Sequence, residues 1–233
     1  FENRPEFGAT EFPEVPSYQI DRGIFENDMR EMIVQDGAHL YEGFSVKDIQ
    51  LSDSDAPHKV VVRSADMDED VVVNCRWVVD GTGRRRMLQN KLGLSTPNGH
   101  SASAAWFRME GRIDVDDLVS PAQDQWHERM PTRTRFYSTN HLMGEGYWVW
   151  LIPLGSGNTS IGIVTSEDIH PIKNFNNYEL AYQWLKKHEP NLANYLGDKE
   201  PLDFLCYKNY SYASHQVLSH ERWSCIGEAG VFV

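Results

Sequence analysis

The sequence is poor in cysteine, and its cysteines have no spacing that suggests a disulfide framework or a metal site. Only three of the 233 residues are cysteine, Cys75, Cys206 and Cys225, and no C-x-x-C pair is present. We expect reduced, mostly buried thiols, as in a cytoplasmic protein. The nine histidines are scattered without the spacing of metal ligands, so no metal site is predicted.

Basic residues and long apolar runs are also scarce. The 22 lysines and arginines stand against 34 acidic residues, which gives a net charge of −12. Such a surface repels a phosphate backbone, so nucleic acid is not an expected partner. No apolar run approaches the length of a bilayer span and no signal-peptide pattern is present, so no membrane span is expected.

The first hundred residues have the pattern of an α/β nucleotide-binding domain that carries a β insertion. A short strand is predicted over residues 17–20, and Asp21 is a favourable N-cap for the helix that follows. An apolar stripe along this helix spaces Phe25, Met29, Met32 and Ile33 at i, i+4, i+7 and i+8, before a stop at Gly37. Strands are then predicted over residues 39–51, 58–64, 70–74 and 76–79.

From Ser101 onward the sequence changes to long, aromatic-rich segments that predict an antiparallel sheet. We expect strands over residues 102–109, 133–139, 147–154, 160–164 and 204–214, a helix over 178–188, and a second short helix that starts at Pro190. A last strand over 223–226 leads into a glycine-bearing loop. The predicted chain is therefore mixed α/β (α+β), with residues 1–100 and 222–233 in one domain and residues 101–221 in a second.

The stretch Tyr147–Leu154 carries the most informative pattern. Two indoles at i and i+2 of a strand point to the same face, so Trp148 and Trp150 should form one aromatic wall. Pro153 should end the strand, because proline donates no ladder hydrogen bond. An ordinary pair of core tryptophans on a half-buried strand is the alternative interpretation.

With Ile152 and Pro153, these tryptophans give the spacing W-x-W-x-I-P, which resembles the signature of flavin-dependent halogenases. In that family the tryptophans lie beside the route between the flavin and the organic substrate. The resemblance makes Trp148, Trp150, Ile152 and Pro153 the candidate catalytic-site residues.

A second resemblance concerns the loop after the strand Val78-Val79. The run Asp80-Gly81-Thr82-Gly83 is similar to an element of glutathione-reductase-type flavoproteins that packs near the adenine half of FAD, although that family usually has alanine at the position of Gly81. Glycines allow close backbone approach to a cofactor and permit positive φ. The alternative is an ordinary turn after a strand.

A third resemblance is to the second FAD fingerprint of the same superfamily. Gly227-Glu228-Ala229-Gly230 follows an apolar strand, and the acidic residue of the fingerprint usually meets the ribityl chain of the flavin. Most members have aspartate where this chain has Glu228. A loop with a surface glutamate is the alternative.

Arg22 is the remaining candidate for cofactor binding. The run Tyr18-Gln19-Ile20-Asp21-Arg22 resembles the superfamily element Y-x-V-D-R-x-x-F-D, in which the guanidinium can bond FAD oxygens or a phosphate. The alternative is a solvated arginine at the helix start, paired with Asp21 or Glu26.

Together these resemblances imply a glutathione-reductase-type FAD-binding fold with an antiparallel substrate domain. The implied activity is halogenation of an electron-rich aromatic or pyrrole substrate with FAD, O2 and halide, the reduced flavin coming from a separate flavin reductase. The chain looks like a fragment, with the phosphate loop and the catalytic lysine expected before Phe1 and the halide-site segment after Val233. A flavin monooxygenase or oxidoreductase of the same fold, and a non-catalytic FAD-binding homologue, are the alternatives.

Overall fold

A computed structural model describes residues 1–8 and 18–232 of the chain, which divides into two units. The first unit comprises Phe1–Asn27 and Ser101–Tyr210, and the second comprises Asp28–His100 and Ser211–Val233. The α-helices are α1 (Arg22–Gln35), α2 (Met87–Lys91), α3 (Asp124–His127), α4 (Tyr178–His188) and α5 (Pro190–Leu196). The strands are β1 (Phe44–Gln50), β2 (His58–Ser64), β3 (Val71–Cys75), β4 (Val78–Asp80), β5 (Ser95–Thr96), β6 (Ala102–Met109), β7 (Asn140–Gly144), β8 (Tyr147–Pro153), β9 (Thr159–Ser166), β10 (Leu205–Tyr207), β11 (Ala213–Ser214), β12 (Leu218–Ser219) and β13 (Trp223–Cys225).

The first unit is built on a five-stranded antiparallel sheet in the order β10-β6-β9-β8-β7, which confirms the predicted antiparallel sheet. One face of the sheet is buried under α4 and α5. The α4 helix is capped by the Asn177 side chain, which accepts a hydrogen bond from the backbone N–H of Leu180, and Pro190 stands in the first turn of α5. The buried core comprises strand and helix residues, among them Phe107, Val149, Leu151, Ile161, Ile163, Trp184, Leu185 and Leu192.

The second unit contains the predicted β meander, an antiparallel sheet in the order β1-β2-β3. A separate sheet pairs β4 with β13 in parallel and β13 with β12 in antiparallel orientation. Apolar side chains from both sheets and from α2 form the core of this unit, namely Ile49, Val78, Leu88, Trp223 and Cys225.

The predicted strand over residues 133–139 is wrong. The structure has a 3₁₀ helix over Arg135–Tyr137, because the Arg135 side chain turns into the interior of the first unit. There its guanidinium bonds the carboxylates of Glu6 and Asp116, and an exposed extended segment would forgo both ion pairs.

Other strands are shorter than the sequence predicts. The first strand begins at Phe44, since the preceding residues form a turn in which Gly43 has φ +74°. The predicted 204–214 strand is divided into β10 and β11, with Asn209 between them at φ 44°. Of the predicted strand over 17–20, Ser17 lies outside the described residues, and residues 18–20 are irregular.

Helix α1 has the predicted ends. The Asp21 carboxylate accepts a hydrogen bond from the N–H of Gly23, and Gly37 takes φ +90° at the C-terminal end. The N–H groups of Gly37 and Ala38 bond the carbonyls of Val34 and Ile33, the pattern of a Schellman motif. The predicted apolar stripe of α1 is not a buried face. Within the described part of the chain, no residue of α1 is buried.

The three cysteines are free, and their exposure differs from the prediction. Cys225 is buried and Cys75 is half-buried, whereas Cys206 is exposed on the edge strand β10. The expectation of mostly buried thiols is therefore wrong for Cys206. Over residues 1–8 and 18–232, no helix combines the length and the apolar character needed to cross a membrane.

The buried side of β8 holds a charged network. The Tyr147 hydroxyl donates to Glu189 Oε1 at 2.9 Å. Glu189 is fully buried, and Arg4 Nη1 donates to both of its carboxylate oxygens at 2.8 Å. Burial, together with the charge of Glu189, raises the pKa of Tyr147 from 10.0 to about 12.

Replacing Tyr147 with phenylalanine is expected to change how stability depends on alkaline pH. Because the folded protein holds the phenolic proton more tightly than the unfolded chain, the free energy of unfolding should fall between pH 10 and about 12. Tyr147→Phe lacks this contribution, and at neutral pH it loses about 1 kcal/mol from the missing hydrogen bond. Urea unfolding at a series of pH values checks the difference. An equal alkaline loss in both proteins would contradict the assignment.

Candidate functional site

The strand β8 presents its two tryptophans on the face of the sheet opposite to the buried core. Tyr147, Val149 and Leu151 are buried, whereas Trp148 is 37% exposed and Trp150 is half-buried. The prediction that both indoles share one face is confirmed, and the alternative of two core tryptophans is not what the structure shows. Pro153 is the last residue of β8, as predicted.

Two further aromatic side chains, which the sequence analysis missed, extend this face. The Trp106 ring on β6 lies 6.5 Å from that of Trp150, and the Tyr207 ring on β10 meets Trp106 edge-on at 4.7 Å. Trp150, Trp106 and Tyr207, named here the aromatic row, come from three strands that are distant in sequence. Only the strand pairing brings them together, so no local motif identifies them.

Polar residues flank the aromatic row in the first unit. Arg108 Nε donates to Asp203 Oδ2 at 2.8 Å, and its Nη1 lies 3.5 Å from Asp21 Oδ2. Ser156 Oγ donates to the same Asp21 oxygen at 3.0 Å, and the N–H of Gly155 donates to the carbonyl of Gln19 at 2.7 Å. These bonds tie the segment before α1 to the turn that follows β8.

Arg22 is the first residue of α1, as predicted, and it forms the ion pair that was its alternative interpretation. Its Nε donates to Glu26 Oε1 at 2.9 Å on an exposed helix surface. This i, i+4 pair is of the kind that contributes only about 0.3–0.5 kcal/mol. The cofactor role of Arg22 stays a prediction.

The two predicted cofactor loops lie side by side in the second unit. The parallel pairing of β4 with β13 places Val79 opposite Ser224 and Asp80 opposite Cys225, so both strands end at the same edge. The N–H of Ile226 donates to the carbonyl of Asp80 at 2.9 Å. Consequently the loop 80–83 and the loop 227–230 start as neighbours, although Asp80 and its partner Cys225 are 145 positions apart in sequence.

The glycines of these loops leave room for a ligand against the backbone. Gly83 has φ +57° and Gly227 has φ +54°, and among the described residues no heavy atom beyond the adjoining residues lies within 4 Å of the Cβ position of either. A side chain at either position would be strained and would occupy that space. At Gly81 a Cβ would make an ordinary 3.6 Å contact with Ile226, so alanine, the usual residue of the resembled family, fits there.

Asp80 and Thr82 stabilise their loop from within. The Asp80 carboxylate is almost fully buried, and its two oxygens accept from the N–H groups of Thr82 at 2.8 Å and Leu88 at 2.7 Å. Thr82 Oγ1 accepts from the N–H of Met87 at 3.1 Å. In this arrangement both side chains hold the loop against the start of α2.

A group of polar and aromatic residues that sequence reasoning missed connects the two loops. The fully buried Gln89 donates from Nε2 to the carbonyl of Gly230 at 2.7 Å and accepts from Arg86 Nη1 at 3.2 Å. The Arg86 guanidinium lies 4.1 Å from the ring centre of Tyr212, whose hydroxyl donates to the carbonyl of Glu228 at 2.5 Å. Burial raises the pKa of Tyr212, with Arg86 opposing the rise, so the hydroxyl keeps its proton for this bond at neutral pH.

Ala229 and Gly230 are buried, whereas Glu228, the acidic residue of this loop, is half-buried and therefore partly accessible to solvent. Within residues 1–8 and 18–232, no cluster of three or more histidine, cysteine, aspartate or glutamate side chains is arranged to hold a metal ion. The two loops offer open positions beside Gly83 and Gly227 and the half-buried carboxylate of Glu228.

Known proteins resemble this chain over nearly its whole length. The flavin-dependent halogenase chlA of Dictyostelium discoideum is 26% identical over 242 residues, which cover 95% of this chain and 38% of that protein. The 1H-pyrrole-2-carbonyl peptidyl-carrier-protein chlorinase of Pseudomonas fluorescens is 27% identical over 225 residues, which cover 93% of this chain and 45% of that protein. The chain thus spans less than half the length of these two relatives.

The fold is also that of a solved halogenase. The crystal structure of halogenase PltM in complex with phloroglucinol and FAD matches with a TM-score of 0.72 at 20% identity, over 90% of this chain and 41% of that one. This likeness concerns the fold, and it confirms the predicted mixed α/β architecture. Because residues 8–194 match the family model described as tryptophan halogenase, the chain belongs to the tryptophan halogenase family.

Proposed function

We propose that the full-length protein is an FAD-dependent halogenase that uses O2 and halide to halogenate an electron-rich aromatic or pyrrole substrate. The observation that carries the proposal is the pair of adjacent glycine loops in a chain of this family, 80–83 and 227–230, on one edge of a parallel strand pair. The relatives support it, since their names include a flavin-dependent halogenase and a pyrrole-2-carbonyl chlorinase.

The residues of the two loops fit a bound FAD. Gly83 and Gly227 would let the backbone approach the dinucleotide closely, and Glu228 would meet a hydroxyl of its ribityl chain. When bound, the flavin supplies the redox chemistry, and the protein supplies orientation, electrostatics and exclusion of water. The guanidinium of Arg22 would be a further contact to the cofactor.

The exposed side of β8 would line the substrate side of the site. Trp148 and Trp150 would form a rigid partition beside the acceptor, and burying each indole against substrate or protein would contribute about 1.5–3 kcal/mol. Ile152 and Pro153 would fix the end of the strand that carries them. No residue of this partition has an ionisable side chain, so we assign it positioning and exclusion of water rather than proton transfer.

The proposed reaction requires two partners besides the organic acceptor. A separate flavin reductase would deliver the reduced cofactor, a halide ion would be the second substrate, and the protein would work in the cytoplasm. We also propose that residues 1–100 and 222–233 belong to the FAD-binding domain and residues 101–221 to the substrate domain.

The test of activity uses the full-length protein with a flavin reductase, NADH, FAD and chloride or bromide. Phloroglucinol and a carrier-bound pyrrole-2-carboxylate serve as two acceptors. Mass spectrometry should detect a product with one hydrogen replaced by halogen, which requires halide and O2. A hydroxylated product that forms without halide would instead identify a monooxygenase, and flavin binding without any product would favour a non-catalytic homologue.

Replacing Gly83 or Gly227 with alanine is expected to remove most of the flavin from the purified protein. Each new Cβ would enter the open space of its loop, and the left-handed backbone adds about 1–2 kcal/mol of strain. The absorbance ratio of flavin to protein measures the loss. Gly111→Ala is the matched control, because Gly111 also has positive φ, +81°, and open space but lies in the first unit. Equal flavin content in all three variants would refute the loop assignment.

A further inference from the structure

The indole of Trp150 lies across a glycine of the neighbouring strand. Gly162 on β9 pairs with Trp150 on β8 and, on its other side, with Trp106 on β6. Directly paired residues point to the same side of an antiparallel sheet. Trp150, Gly162 and Trp106 therefore form a line across three strands, with the glycine in the middle.

Glycine at position 162 is required by the ring above it. A Cβ on Gly162 would lie 2.1 Å from Cζ2 and 2.2 Å from Cε2 of Trp150. Its φ is outside the positive range in which side chains are strained, so the backbone would accept another residue. Since carbon atoms pack best at about 3.5–4.0 Å, alanine would have to displace the indole by more than about 1 Å.

Two further contacts fix the plane of the Trp150 ring. Its Nε1–H donates to Ser160 Oγ, two residues before Gly162 on β9, at 3.2 Å. Its other side meets Trp106 with an interplanar angle of 37°, and Trp106 is in turn held by the edge-on contact with Tyr207. A different rotamer of Trp150 would lose the hydrogen bond and the ring contact together.

We propose that Gly162, Ser160 and Trp106 are positioning residues that set the plane of Trp150 and, through it, which ring position of a planar acceptor is halogenated. This inference rests on the proposed function. Gly162 supplies the space, Ser160 the orientation of the indole nitrogen, and Trp106 the lateral contact. The motif W-x-W-x-I-P fixes the identity of the partition residues, whereas these three residues from other strands fix their geometry.

The experiment compares Gly162→Ala with the wild type in the full-length protein supplied with FAD. Two indoles at 6.5 Å should give an exciton couplet in the circular dichroism spectrum. We expect Gly162→Ala to weaken or invert this couplet, to leave the flavin content unchanged, and to change the isomer ratio of the halogenated product. The kcat/KM should fall about tenfold, as for a methylene-sized change in an apolar pocket, with more of the change in KM than in kcat.

Two other variants keep the test decisive where Gly162→Ala folds poorly. Ser160→Ala removes only the hydrogen bond and should shift the isomer ratio in the same direction. Trp106→Phe should abolish the couplet, while Trp77→Phe, at an exposed tryptophan of the second unit, serves as the spectroscopic control and should leave it in place.

The outcomes separate the inference from the proposed function. A changed couplet in Gly162→Ala or Trp106→Phe with wild-type kinetics and isomer ratio would overturn the positioning role, while halogenation itself would stand. An unchanged couplet in Gly162→Ala would overturn the packing argument. A wild-type protein that binds FAD but halogenates no acceptor would overturn the proposed function and this inference with it.

Discussion

Replacing Arg135 with alanine is expected to lower the free energy of unfolding by about 3–5 kcal/mol, the cost of breaking a buried ion pair on one side. The Arg135 side chain is only 2% exposed. Its guanidinium donates to the two carboxylate oxygens of Glu6 at 2.6 and 2.8 Å and to Asp116 Oδ1 at 2.6 Å. Without the arginine, the Asp116 charge would remain buried and uncompensated.

The surroundings of Asp116 offer little compensation for this loss. Its second oxygen, Oδ2, is buried and has no hydrogen-bond partner within the described part of the chain. Burial disfavours the charged guanidinium, but Glu6 and Asp116 outweigh that effect and raise the pKa of Arg135. The cation is therefore present throughout the range in which the protein is folded, and it also lies over the Trp126 ring at 4.3 Å.

Urea unfolding followed by tryptophan fluorescence measures the loss, and Arg112→Ala is its control. Arg112 is also an arginine paired with an aspartate, Asp114, but its side chain is 53% exposed, so its removal should cost at most about 1 kcal/mol. Replacing Arg135 and Asp116 together with Met and Leu should recover much of the stability, because no buried charge is then left alone. Equal losses for Arg135→Ala and Arg112→Ala would contradict the burial argument.

The same residue explains one limit of the sequence analysis. The sequence predicts β2, β6 and α4 at the bounds that the structure has, His58–Ser64, Ala102–Met109 and Tyr178–His188, because strand and helix patterns of this kind are local. The strand predicted over residues 133–139 does not form, because the conformation there depends on Glu6, which is 129 residues from Arg135 in sequence. A local pattern carries no information about such a partner.

In the candidate site, too, the sequence identifies some residues, whereas others are identified only by the structure. The resemblances locate both glycine loops in the sequence, and the structure confirms that each follows a strand and contains a glycine with positive φ. The residues that join the two loops have no recognisable sequence pattern. Gln89 bonds the carbonyl of Gly230 across 141 residues, and any residue has a carbonyl. Likewise, Gly162 is indistinguishable from an ordinary strand glycine until the register with Trp150 is known.

Replacing Asp80 with alanine is expected to have the largest effect on the cofactor loops. Both oxygens of its buried carboxylate accept backbone N–H groups, those of Thr82 and Leu88. Alanine would leave two donors without a partner, and each such buried group costs about 1–3 kcal/mol. We expect a loss of about 2–4 kcal/mol in unfolding free energy and, because the loop 80–83 would lose its shape, loss of the bound flavin.

Asp80→Asn keeps the shape of the side chain and removes its charge, so it distinguishes the two contributions. The amide keeps one acceptor oxygen and turns its NH2 group towards the second N–H, so roughly half of the stability loss should remain and flavin binding should be weakened but measurable. Asp48→Ala is the control in the same unit, because Asp48 forms a solvent-exposed pair with Lys91 and its loss should leave the stability nearly unchanged. Urea unfolding and flavin absorbance are measured on all three variants. If Asp80→Ala retains both its stability and its FAD, then the loop is not held by this carboxylate, and Asp80 has no part in shaping the dinucleotide site.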